Sequence, residues 1–62
     1  MKDVEAAVRS AAQETALRAA QHRMHPDRWK SFVSGEWQVF SQEHPAAAPF
    51  RTLFFAVAEI AR

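Results

Sequence analysis

Apolar positions along this chain recur with a helical period rather than a strand period. The clearest run lies near the C-terminus, where Leu53, Phe54, Val57 and Ile60 stand three, four, seven and ten residues after Phe50. A second run, Trp29, Phe32, Val33, Trp37 and Phe40, falls on one side of a helical wheel, with Lys30, Ser34, Gln38 and Ser41 on the other. The opening third is different. Val4, Val8, Ala11 and Ala19 share one side, Leu17, Ala20 and Met24 point roughly the opposite way, and alanine fills much of the rest. Intrinsic helix propensity is therefore high there, but no broad apolar stripe exists. This first helix is expected to form readily and to hold weakly.

Punctuation supports the same division. Asp3 is placed to N-cap the first helix, with Glu5 in its first turn where the helix dipole favours a negative charge. Glu5 and Arg9, and Glu14 and Arg18, stand four apart in the favourable acid-first order. Pro26 suits the first turn of a second helix, Pro45 closes it, and Pro49 opens a third. The pattern predicts an all-α chain, a single small domain over 1–62, with helices at about 3–24, 26–43 and 49–61 and the second and third forming an aromatic-lined hairpin. Ala46-Ala47-Ala48 either extends the third helix backward or forms a short loop.

Gly35 complicates the second helix. Ser34-Gly35 also fits a two-residue hairpin turn pairing Phe32 with Trp37. That register would set Trp29, Ser31 and Val33 on one face with Glu36, Gln38 and Phe40, burying polar groups, and an isolated two-stranded hairpin is marginal in water. The helix, with a kink at Gly35 allowed, is the better reading.

Composition narrows the class. The chain is 48% hydrophobic and 24% charged, which is globular, and its single glycine argues against an all-β sandwich or barrel with many tight turns. A domain of this size buries only about 60% of the surface exposed by its unfolded chain. With no cysteine, neither a disulfide nor thiolate-bound zinc can supplement the core, so self-association or a protein partner is the expected supplement. No segment reaches the roughly 18 unbroken apolar residues of a membrane span, and the opening residues lack the apolar stretch of a secretory signal. A cytoplasmic protein without a membrane role is the expectation.

The formal net charge of +1 is too small to imply nucleic acid by itself. Its distribution supplies an alternative reading. Arg18, Arg23, Arg28 and Lys30 crowd the junction of the first two helices against Asp27 alone, with His22 and His25 among them, as in a DNA- or RNA-binding helical module using residues 18–30. Against it, the second and third helices carry aromatic faces where base readout would want a polar one.

Candidate chemistry is sparse. His22 and His25 are three apart and could share a metal with Asp27 or Glu43, but a helix end accounts for them more simply, and no metal is expected. Ser41 and His44 are also three apart, which a nucleophile and its base would satisfy. A chain this short rarely encloses a water-excluding pocket, and one glycine cannot make a phosphate-binding loop. No catalytic residue, cofactor or small-molecule substrate is therefore expected.

All seven aromatic residues, two tryptophans and five phenylalanines, lie between Trp29 and Phe55. Trp37 falls toward the edge of its stripe, while Leu17, Val39 and Phe55 lie off the main faces. The expectation is a small non-catalytic regulatory or accessory protein that binds a larger protein, or a second copy of itself, through an aromatic helical surface. Trp29, Trp37, Phe40 and Phe55 are the expected anchors, with the first helix ordering fully only on binding.

Overall fold

A computed structural model describes residues 3–61 of the chain; Met1, Lys2 and Arg62 lie outside the described residues. Three helices and one 3₁₀ segment follow in order: α1 over Val4–Gln21, α2 over Pro26–Glu43, the 3₁₀ segment over Pro45–Phe50, and α3 over Arg51–Ala61. Among the described residues there is no strand, and α2 runs unbroken through Gly35, so the helical reading of that segment holds.

Each boundary has a local cause. At the start of α1, the Asp3 carboxylate accepts a hydrogen bond from the Ala6 N–H at 3.3 Å, satisfying one of the first-turn donors. The other end comes three residues earlier than the hydrophobic pattern predicts. Arg23 adopts φ 48°, in the left-handed region, and the Arg23 and Met24 N–H groups donate to the Ala20 and Ala19 carbonyls, each at 3.1 Å. This paired arrangement is the Schellman motif, and it turns Met24 back against the core. Pro26 then occupies the first turn of α2, where its missing N–H costs nothing, and His25 Nδ1 accepts from the Asp27 N–H at 3.2 Å. The chain leaves α2 at His44, held extended by the proline that follows. Neither Pro45 nor Pro49 has an N–H to donate, and Pro45–Phe50 winds as a 3₁₀ turn with Ala47 N–H donating to His44 O at 2.8 Å. The third α-helix accordingly begins at Arg51, two residues later than expected.

Packing departs from the sequence expectation in one important respect. The first helix, expected to hold weakly, makes the closest and most extensive approach in the molecule, and it does so to α3. Val8, Ala12, Thr15, Ala16 and Ala19 form a buried face on α1, and Phe54 and Ala58 are the buried residues of α3. Small side chains leave little between two backbones, so the helix axes can come together closely. The buried Thr15 hydroxyl is satisfied inside its own helix, donating to Ala11 O at 2.8 Å. The second helix meets α3 through large rings instead: Trp37 and Phe54 have centroids 5.2 Å apart, and Phe40 and Phe54 6.2 Å. Both halves of the core thus converge on Phe54, which has no solvent exposure.

Candidate functional site

Small residues draw α1 onto α3 while bulky rings hold α2 outward from it. Together these leave an open groove between α1 and α2. Two adjoining hollows of about 470 and 510 Å³ make up this trough. Phe40, Ala7 and Glu43 line both hollows, and Ala11 and Thr15 on α1 and Val39 on α2 extend the walls. The trough reaches from the Arg18–Glu36 contact at one end to Asp3, Pro45 and Ala46 at the other.

Phe40 is the aromatic residue common to both hollows, and Phe54 lies at the base of one. Phe40 is half-buried, and its ring packs against His44 at 4.7 Å between centroids and Trp37 at 6.2 Å. Val39 is 54% exposed on the α2 wall. Leu17, 58% exposed on α1, lines neither hollow. Of the three large apolar side chains most exposed on the described residues, Val39 alone lines the trough. The third, Ile60, is 85% exposed on α3 and takes no part in it.

The other expected anchors lie elsewhere. Trp29 and Trp37 are buried, at 8% and 7% exposure, because the wheel positions that gave α2 its stripe are the ones that pack inward. They form part of this chain's own core rather than a free surface. Phe55 is half-buried, set edge-on to Phe54 at 6.0 Å, and its face is covered by the Arg51 guanidinium 4.8 Å from the ring centroid. Of Trp29, Trp37, Phe40 and Phe55, Phe40 alone lines the groove. The off-stripe position of Val39 was the sequence signal for the groove, because an apolar residue outside a core stripe needs another reason for its place.

The basic junction is also rearranged. Arg18 does not pair with Glu14; its guanidinium lies 3.3 Å from the Glu36 carboxylate on α2, across the groove. Arg28 and Lys30, two apart on α2, project about 160° from one another. Asp27 stands in the first turn of α2, where a phosphate would otherwise be drawn to the helix N-terminus. Arg18, Arg23, Arg28 and Lys30 thus share no single face.

The remaining constellations separate as well. Ser41 Oγ donates to Gln38 O at 3.1 Å rather than to His44, whose ring stacks on Phe40. Among the described residues, no group of three or more His, Asp or Glu side chains could hold a metal ion. No described helix is long and apolar enough to cross a membrane. Neither protein-family models, nor curated proteins, nor solved structures give a match to this chain.

Proposed function

We propose that this chain is a small non-catalytic accessory or regulatory protein that seats a helical segment of a larger protein in the groove between α1 and α2. The observation that carries the reading is the open trough itself, lined by Phe40 and the exposed Val39. Helix-in-groove recognition reuses the packing that holds helical bundles together: an apolar stripe at helical spacing drops between two helices and removes their facing side chains from water. A fourth helix laid here would cover Val39, Phe40 and Ala11 together. The stretch of α1 from Asp3 to Arg18 is about 22 Å long at the helical rise, which suits a segment of about four turns.

The test compares two exposed apolar positions. Val39→Arg places a charge on the groove wall, and Ile60→Arg places the same charge on α3, outside the groove; neither side chain is buried, so both variants should fold. The partner recovered by affinity capture from the native host should be lost with Val39→Arg and retained with Ile60→Arg. Equal retention by both variants, or equal loss, would remove the groove from the mechanism.

A further inference from the structure

We infer that the helix taken by this groove carries lysine or arginine on both flanks of its apolar stripe. This rests on the helix-binding reading above and adds the chemistry of the occupant. The walls of the trough hold four carboxylates, Asp3, Glu14, Glu36 and Glu43, against the single guanidinium of Arg18. That one cation is already engaged, 3.3 Å from Glu36. Glu14 on α1 and Glu43 on α2 have no ion-pair partner among the described residues, and they face the trough from opposite sides.

The asymmetry runs against the chain as a whole. Its formal net charge is +1, yet the acids gather along this one trough. The other described cations lie elsewhere: Arg9 is paired with Glu5 on the exposed side of α1, Arg51 covers Phe55 on α3, and Arg23, Arg28 and Lys30 belong to the α1–α2 junction and the start of α2. An incoming acidic helix would set its carboxylates beside Glu14 and Glu43 and be repelled. A basic one finds a counter-charge on each rim, within a Debye length of about 8 Å at physiological salt. The apolar walls supply the attraction, and the rims select which apolar helix is accepted.

Three synthetic helices of about four turns test this, sharing one leucine stripe and differing only in flanking residues: lysine, glutamine or glutamate. Binding is measured by calorimetry, and its place by amide chemical-shift changes in the full chain. The lysine-flanked helix should bind about tenfold more tightly than the glutamine-flanked one, with the glutamate-flanked one weaker still. The shift changes should centre on Ala7, Val39, Phe40 and Glu43 rather than on Ile60. Raising the salt should narrow the differences, and the double variant Glu14→Gln/Glu43→Gln should remove most of the preference for the lysine-flanked over the glutamine-flanked helix. Equal binding of all three in the groove overturns the charge inference and leaves the helix-binding reading standing. No groove shifts with any peptide, or a groove already filled by a second copy in sedimentation, overturns both.

Discussion

Replacing Gly35 with alanine is expected to stabilise the protein, and the size of the gain follows from the structure. Gly35 is exposed in the middle of α2, and a Cβ built there meets no atom within 4 Å. The substitution therefore neither buries new area nor creates a clash, and the difference reduces to helix propensity. Glycine in a helix interior is about 0.8–1.0 kcal/mol less favourable than alanine, chiefly because it gives up more backbone freedom on folding. At about 0.05–0.15 kcal/mol per residue, a chain of 62 residues has a total stability of about 3–9 kcal/mol, so this is a large fraction. Thermal unfolding followed by far-UV circular dichroism should show the midpoint of Gly35→Ala raised by about 4–8 °C. Urea unfolding should show a higher midpoint with an unchanged slope, since the same surface is exposed. The sign is the decisive quantity. Were Ser34-Gly35 the turn of a hairpin, Gly35 would need a positive φ, and an alanine there would destabilise. A lowered or unmoved midpoint would refute the continuous helix.

Other substitutions probe the remaining features. Trp37→Ala should cost about 3–5 kcal/mol by opening a cavity against Phe54, comparable with the whole stability of the chain, and should appear as partial or complete unfolding by circular dichroism. Ala12→Leu should lose about 1–3 kcal/mol in urea unfolding, because a larger side chain forces apart the closest helix pair; an unchanged midpoint would mean that α1 is not held tightly to α3. Arg23→Gly should gain about 1 kcal/mol, by relieving a left-handed backbone at an exposed position, and the gain should be visible as a raised thermal midpoint.

The helical class, the three segments and several of their ends were legible in the sequence because they depend on neighbours along the chain. Asp3 can cap only the turn that follows it, Pro26 fits only a first turn, and the stripe from Trp29 to Phe40 names its own inward face whatever lies opposite. Even the end of α1 is local, although Arg23 concealed it: glycine at that position would have announced the stop, and arginine in the left-handed region does not.

What the linear pattern could not contain is distance between helices. Judged by bulk, α1 looked the least able to pack, yet its alanines and a threonine let it lie closest to α3, since contact depends on how nearly two backbones can approach as well as on the size of each side chain. By the same rule Trp37, which looked like a partner's anchor, is needed to fill the wider gap between α2 and α3, and Trp29 is likewise buried in the core. The groove exists because these two spacings differ. Val39 was visible beforehand as an apolar residue out of place, but only the unequal packing of α1 and α2 around Phe54 gave it a trough to line.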